Sequence, residues 1–392
     1  MSSPIDIVQQ LHDLVDKTYT TSELRTPFEL CRSKLAISEM CRKLIRAVEG
    51  PRAYSAELSV SCQESAALNL IVSLGIPDLI ASSKDRQLTL TELSEKTGAA
   101  EEYLIVDSRL RPVVCLNLLL HHGYFVEVGG FGSHVYQNNE FSDVLRSGGH
   151  DAVTVKEFVG LAADDGARAS SFILEAATQP PPADGEFKRS AHNYAFNTSI
   201  PVFQWMASPG NEWRLERTGK AMIEYSSIFM RGAAEDYAWD TLPSPLIDLG
   251  GGMGALETMV LTSSEINKNL KFVILDLEKT VEKCKELWEH KPAWIKDSVS
   301  FVAGDFMQND PAQSKIPVPT TRESAGTYFI RHALYNWSDD DARLLLFKAP
   351  CPNLPNATHL LPGRQNLDKH RRCYSVISIK WLRQKSSQDS PR

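Results

Sequence analysis

The segment that most constrains the fold is an apolar run that ends in an acid and then in a glycine-rich loop. It reads LIDL over 246–249 and GGGMG over 250–254. A backbone without Cβ atoms can turn sharply and let a ligand lie against its amides, and a helix beginning near Ala255 would direct its N-terminus at that ligand. The segment predicts a strand, loop and helix that bind a nucleotide-type cofactor, with an ordinary tight turn as the alternative.

Three further apolar segments each lead into polar residues. They are 271–277 with Asp276 near its end, 299–304 followed by Asp305 and Phe306, and 326–330 followed by Arg331 and His332. Asp276 lies roughly 20 residues beyond the glycines, where a nucleotide-binding fold places a ribose-binding carboxylate. Because the carboxyl ends of parallel strands meet at one edge of a sheet, we expect all four segments to deliver their polar residues to that edge.

These motifs, in this order and spacing, resemble the S-adenosylmethionine (SAM)-dependent O-methyltransferases of the plant caffeate and fungal secondary-metabolite type. The motifs are DLGGGMG at 248–254, LDL at 275–277, GDF at 304–306 and RHALYNWSDDD at 331–341. Upstream, the segments 67–79, 88–93 and 116–128 look like the winged-helix dimerisation domain of that family. The resemblance covers about residues 37–346 and implies an α/β, Rossmann-like class I methyltransferase domain with an N-terminal helical and winged-helix domain.

The resemblance also implies a cofactor site for SAM. The residues it assigns are Gly250, Gly251 and Gly252 to the methionine and ribose portion, Asp276 to the ribose hydroxyls, and Asp305 and Phe306 to the adenine. A carboxylate suits paired hydroxyl donors, and an aromatic ring can stack on a base. Taken alone, Asp276 could instead cap the next helix, and Phe306 could belong to the core.

One departure from the family pattern falls at 335–337, which reads YNW where the resembling enzymes carry His-Asp-Trp. That histidine is their general base, and its pKa of about 6.5 suits proton transfer near neutral pH. Tyrosine, with a pKa of about 10, is a poor base at pH 7. We assign Tyr335, Arg331 and His332 to catalysis, and Arg331 also to the cofactor site. The alternative is that Tyr335 and Asn336 are neutral changes in an inactive paralogue.

A second departure begins after Leu346. Residues 348–392 hold prolines and mixed charges without periodicity, which do not predict the closing strands and long helix of the family. The two acids that orient the catalytic histidine in the family are also not found. This segment resembles the product of a shifted reading frame or an unspliced intron, with a lineage-specific tail as the rival, and 105–114 is a second candidate insertion.

Bulk properties exclude several classes of protein. A net charge of −7 argues against a nucleic-acid partner, so the winged-helix region is expected to pair two subunits. Seven cysteines without a CxxC pattern predict a reduced, cytoplasmic protein and no metal site. The N-terminal residues predict an amphipathic helix rather than a signal peptide, and no apolar stretch reaches the roughly 18 residues that a membrane span needs.

The predicted domains are 1–150 for the helical and winged-helix dimerisation region, 151–240 for a helical connector, 241–347 for an incomplete SAM-binding domain, and 348–392 for a poorly ordered tail. In the resembling enzymes the connector roofs the acceptor pocket, to which we assign His192, Phe196, Phe203 and Met206. Aromatic residues and methionines at this density are also typical of a core. The helices before about residue 50 are expected to intertwine with a second subunit in a homodimer.

Three functions remain open. The first is O-methylation of a phenol or enol hydroxyl on a polyketide-like molecule, where holding the acceptor oxygen in line supplies much of the rate. The second is a methyltransferase-like pericyclase acting on a pyridone, in which SAM stays as a fixed positive charge and Arg331, His332 or Tyr335 polarises a carbonyl. The third is a non-catalytic dimer partner or an inactive paralogue.

Overall fold

A computed structural model describes the conformation of most of the chain. The described residues are 3–20, 27–104, 120, 122–147, 154–180, 189–229, 234–235, 237–308, 327–331, 333 and 376–379. The chain divides into two compact units, one of Met1–Glu23 and Arg32–Tyr225 and the other of Leu24–Cys31 and Ser226–Arg392. The division after Tyr225 precedes the boundary at 240 that we place from the sequence.

Helices dominate the chain up to residue 229. They are α1 Pro4–Tyr19, α2 Pro27–Val60, α3 Cys62–Ser73, α4 Ile76–Ser82, α5 Leu90–Thr97, α6 Glu101–Leu104, α7 Glu140–Asp143, α8 Lys156–Gly160, α9 Ala167–Ser170, α10 Ile173–Thr178, α11 Ala191–Ala195, α12 Val202–Met206 and α13 Glu212–Phe229. A π-helical turn, Leu161–Gly166, joins α8 to α9. Among the described residues no single helix is long and apolar enough to span a membrane, although 32–73 and 76–82, joined at a 45° bend, meet the length and composition requirement together.

A small antiparallel sheet accompanies helices α3 to α6. Its strands are β1 Gln87–Thr89, β2 Phe125–Glu127 and β3 Val135–Asn138, in the order β1-β3-β2. Strands β2 and β3 form an antiparallel hairpin, in which Phe125 pairs with Asn138. Thr89 begins α5 with a capping box, because its side chain accepts the Glu92 N–H while the Glu92 carboxylate accepts the Thr89 N–H. The buried side chains beneath this sheet are Ala67, Ile71, Ile76, Ile80, Leu88, Leu90, Leu93, Leu104, Phe125 and Tyr136.

The second unit contains the predicted parallel sheet. Its strands are β4 Leu246–Leu249, β5 Phe272–Asp276, β6 Val299–Ala303, β7 Thr327–Arg331 and β8 Val376–Ile379, in the order β6-β5-β4-β7-β8. Its helices are α14 Ala255–Ser263, α15 Glu278–Trp288 and α16 Ala293–Lys296, with short 3-10 turns at Trp239–Thr241 and Ile266–Asn269. The prediction of four parallel strands, and of a helix from Ala255, is confirmed.

The strand register aligns the carboxyl ends of β4 to β7. Leu249 pairs with Leu275 and Asp276 pairs with Ala303, while Asp248 pairs with Phe329. Both faces of the sheet are covered, as parallel strands require. One face packs Leu246, Phe272, Ile274 and Phe329 against Trp239 and Trp288, and the other packs Ile247, Leu249, Leu275, Tyr328 and Ile330.

The strand β8 corrects one expectation. We expect no regular element in 348–392, yet Val376–Ile379 pairs antiparallel with β7, with Val376 opposite Arg331. An edge strand leaves backbone N–H and C=O groups unpaired, and the β-branched segment VISI supplies partners for them in four residues. A segment of four residues is too short for a periodic pattern to identify it as a strand. The candidate insertion 105–114 and the rest of the predicted tail lie outside the described residues.

The fold yields a prediction at Gly254, where the loop meets the sheet. A Cβ on Gly254 would lie 2.6 Å from Trp288 Cζ2, whereas a Cβ on Gly252 would meet no described atom within 4 Å. Both glycines have a left-handed φ, 71° and 59°, so alanine suffers similar backbone strain at both. We expect Gly254→Ala to lower the free energy of unfolding by at least about 1 kcal/mol more than Gly252→Ala, from overpacking. Chemical denaturation measures the difference, and equal losses would contradict the packing.

Candidate functional site

The glycine loop and Asp276 are joined by a hydrogen bond at the carboxyl edge of the sheet. The Gly252 N–H donates to Asp276 Oδ2 at 2.9 Å, and the Leu277 N–H donates to Asp276 Oδ1 at 2.8 Å. Burial raises the pKa of Asp276, and the hydrogen bonds from Gly252, Leu277 and Thr280 act in the opposite direction. Asp276 therefore contacts the loop, whereas the next helix takes its N-cap at Leu277 and not at Asp276. The ribose-binding role of Asp276 stays a prediction.

Phe306 lies against the first glycine of the loop. A Cβ on Gly250 would come within 3.6 Å of the Phe306 ring and 3.3 Å of Ala333 Cβ. Asp305 closes the turn that presents this ring, because its Oδ1 accepts the Met307 N–H at 3.0 Å. Phe306 also packs on the apolar cluster at that face of the sheet, so its ring is both core and loop neighbour.

Two fully buried acids lie on the elements that flank the loop. Asp248 lies in the buried strand β4 and Glu257 is in the first turn of α14, and both are 0% exposed. Burial raises the pKa of each carboxyl group, and the proximity of Glu257 raises that of Asp248 further. Sequence reasoning missed Glu257. The available signal was a single acid inside the otherwise apolar helix ALETMVLTS.

Arg331 faces these acids from β7. Its Nη1 donates to Ser226 Oγ at 2.8 Å, and its positive charge lowers the pKa of both Asp248 and Glu257 against the effect of burial. The structure thus brings Arg331 to the edge where the sequence placed it, beside the acids. Its predicted catalytic companions His332 and Tyr335 lie outside the described residues, and their roles stay predictions.

The residues at this edge fit SAM, which combines a sulfonium, an ammonium, a carboxylate and ribose hydroxyls. The loop leaves open space at Gly252, and a ligand can lie against backbone there because a Cβ would touch no described atom within 4 Å. Asp276 supplies an acceptor for hydroxyl donors. The four carboxyl oxygens of Asp248 and Glu257 receive no hydrogen bond from any other described residue, and they lie beside the loop.

The predicted acceptor-pocket residues lie in the first unit. The rings of His192, Phe196 and Trp205 pack together with centroid separations of 4.6 to 4.9 Å. Among the described residues neither ring nitrogen of His192 has a hydrogen-bond partner, and burial lowers its pKa. Met206 is buried, whereas Phe203 is 40% exposed. The structure therefore brings His192 and Phe196 together and leaves Phe203 on the surface.

A buried charge network that sequence reasoning missed adjoins these rings. The π-helical turn carries Asp164 and Asp165, and Arg217 on α13 contacts them at 3.1 Å and 2.8 Å. Arg214, one turn earlier, pairs with Asp165 and lies 5.1 Å from the Phe196 ring centroid and 5.4 Å from that of Trp205. The acids and the arginines are separated by about fifty residues, so no local pattern links them. Their position fixes α13 against the turn that precedes the aromatic residues.

Comparisons with known proteins agree with this geometry. Residues 184–354 match the family model of the O-methyltransferase domain. The O-methyltransferase gedA of Aspergillus terreus is 27% identical over 349 residues, covering 80% of this chain and 66% of the relative. Chlorophenol O-methyltransferase of Trichoderma longibrachiatum is 26% identical over 317 residues, covering 79% of this chain and 61% of the relative. The matched part of the chain thus spans less than two thirds of the length of these relatives.

A solved structure shows the same fold. OxaC, in complex with SAH and oxaline, superposes with a TM-score of 0.61 at 13% identity, covering 97% of this chain and 99% of that chain. The resemblance stated from the motifs is confirmed, and so is the class I methyltransferase fold.

The buried histidine of the first unit yields a prediction. Because burial lowers the folded-state pKa of His192 below 6.5, the unfolded chain takes up a proton near pH 6.5 that the folded chain refuses. The contribution of His192 is therefore present above that pH and is lost as pH falls toward the folded pKa. We expect His192→Phe to raise the melting temperature relative to wild type more at about pH 5 than at about pH 8. His12, which is 74% exposed, provides the control in His12→Gln, and equal shifts at both pH values would refute the buried state of His192.

Proposed function

We propose that this chain is a SAM-dependent methyltransferase of fungal secondary metabolism, with residues 184–354 as its O-methyltransferase domain. Its acceptor is a phenol or enol hydroxyl on a polyketide-like small molecule. The hydrogen bond from Gly252 to Asp276 is the observation that carries the proposal, because it brings an open glycine loop and a hydroxyl acceptor to one edge of the sheet. The match to a chlorophenol O-methyltransferase supports a phenolic acceptor.

Each residue at the edge has a distinct task in this proposal. When bound, SAM supplies an electrophilic methyl group on a positively charged sulfur. The loop at Gly250 to Gly252 presents backbone to the methionine and ribose portion, Asp276 accepts from the ribose hydroxyls, and Phe306 stacks on the adenine, as in the resembling family. Arg331 lies beside the buried acids Asp248 and Glu257 and favours negative charge on them.

The acceptor hydroxyl must lose its proton by a route that differs from the one in the resembling family. Tyr335 stands at the position of the general-base histidine and is too weak a base at pH 7. An enol or an acidic phenol is already ionised near neutral pH, so positioning its oxygen in line with the methyl group supplies the rate. The proposal therefore favours acidic acceptors over simple phenols.

A homodimer forms part of the proposal and is supported by the N-terminal helix. In α1 the side chains of Ile5, Val8 and Tyr19 are 81%, 50% and 64% exposed. A row of exposed apolar side chains is a recurrent feature of surfaces that pair with another chain. The second subunit is the occupant we propose for this face.

Cofactor binding is tested at Asp276. We expect calorimetry with SAM or its demethylated product to show binding that Asp276→Ala weakens at least tenfold, about 1.4 kcal/mol, because the ribose hydroxyls lose their acceptor. Glu282→Ala is the matched control, since Glu282 is an exposed acid on the helix that follows Asp276. A folded wild-type protein that binds neither compound would refute the proposal.

Methyl transfer is tested at Tyr335 with methyl-labelled SAM and a set of phenols of graded acidity. We expect label in the product, turnover by Tyr335→Phe within a few fold of wild type, and extension to less acidic phenols by Tyr335→His, because histidine restores a base of suitable pKa. Asp276→Ala serves as the weak-binding control. Rearranged product without label would replace methyl transfer with the pericyclase function for that substrate.

A further inference from the structure

The buried acids Asp248 and Glu257 have an arrangement that neither cofactor binding nor methyl transfer explains. The two carboxyl groups lie within hydrogen-bonding reach of each other. All four of their oxygens are buried, and no described residue outside the pair donates a hydrogen bond to them. A carboxylate that accepts nothing in a buried site is costly, and two adjacent ones cost more because they repel.

A single proton between the two groups removes most of that cost. A carboxyl and a carboxylate that share a proton satisfy one oxygen of each and carry one negative charge instead of two, as paired acids in buried sites do. The titration then belongs to the pair and not to either residue.

The charges that face the pair from the neighbouring elements favour this state. Arg331 approaches from β7 and stabilises negative charge on both acids, whereas Asp276 approaches from β5 and opposes it. From α15 comes the Cys284 thiol, whose pKa burial raises to about 12, so it stays neutral. One positive and one negative charge therefore face the pair, so a second negative charge on the pair would have no positive partner among the described residues.

The pair also supports the cofactor loop from below. A Cβ on Gly251 would lie 3.0 Å from Asp248 Oδ2, 3.1 Å from its Cγ and 3.0 Å from Ile274 Cγ2, so the Asp248 carboxyl group and Ile274 bound the space beneath the loop. Of these two side chains, Asp248 is the one whose rotamer a hydrogen bond can fix. Glu257 is the neighbour that can hold that rotamer, because among the described residues its side chain is the one within hydrogen-bonding reach of the Asp248 carboxyl group.

We propose that Glu257 is a positioning residue for the cofactor: a single proton shared between its carboxyl group and that of Asp248 joins the two side chains and so fixes the Asp248 side chain beneath the Gly251 backbone. The proposal rests on the proposed function only for its effect on SAM. Its structural part, the shared proton, concerns the protein without ligand.

The proton gives the folded state a characteristic dependence on pH. Burial raises the pKa of the pair above the ordinary values of 3.8 and 4.5, so the folded chain keeps a proton that the unfolded chain has released. The contribution of this proton to stability is full below those ordinary values and is lost as pH rises through the pKa of the folded pair. Glutamine at 257 donates from its amide without a proton to lose, so Glu257→Gln removes this loss.

The first experiment measures the melting temperature of the ligand-free protein between about pH 5 and about pH 9. We expect the melting temperature of wild type to fall, relative to Glu257→Gln, as pH rises. The control is Glu265→Gln, the same substitution at a side chain that is 86% exposed in the same unit, and it should follow wild type. A Glu257→Gln profile parallel to that of wild type would overturn the shared proton.

The second experiment measures binding of the demethylated product of SAM by calorimetry at neutral pH. We expect Glu257→Gln to bind within about threefold of wild type and Glu257→Leu, which cannot donate, to bind at least about tenfold more weakly. Should Glu257→Leu fail to fold, the Glu257→Gln affinity and the melting profiles decide. A folded Glu257→Leu that binds like wild type, or a Glu257→Gln that loses tenfold, would overturn the positioning role. A folded wild type without binding would overturn that role and the proposed function together, while the melting profiles would still decide the shared proton.

Discussion

The pairing of β4 with β5 is the constraint on which the site depends. Because Leu249 lies opposite Leu275, the chain leaves β4 at the level where β5 reaches Asp276, and the loop meets that acid within hydrogen-bonding distance. A slip of one residue in this register would turn Asp276 toward the opposite face of the sheet. The apolar clusters on both faces prevent the slip, so the core of the second unit also holds the position of its polar edge.

Both units bury charge, and they neutralise it in different ways. In the first unit Asp164 and Asp165 face Arg214 and Arg217, so opposite charges cancel in a closed set. Removing one member of such a set leaves a bare buried charge and typically costs about 3–5 kcal/mol. In the second unit, Arg331 is the one cation among the described residues that faces the buried acids Asp248 and Glu257, and burial and the repulsion between these acids raise the pKa of Asp248. The first unit therefore balances its buried acids with arginines, whereas the second holds a proton between its acids.

The sequence was a good guide wherever a signal is local. Glycines that end an apolar run, and acids that end the next, predicted the loop and the order of four strands because these patterns follow from backbone geometry. Glu257 was missed, since one acid in an apolar helix does not reveal that another acid lies beneath it. Arg214 and Asp165 were missed because their contact joins distant segments. The strand β8 was missed because its four residues gain their conformation from the edge of β7.

The contact between Trp288 and Gly254 restricts which substitutions these two positions accept. The indole of Trp288 fills the space beneath Gly254, and its Nε1–H donates to the Met253 carbonyl oxygen at 3.0 Å. A side chain at 254 requires a smaller residue at 288, and a smaller residue at 288 leaves a cavity and an unpaired carbonyl. Either change made alone therefore lowers the stability of the second unit, so the effects of substitutions at 254 and 288 are expected to be coupled.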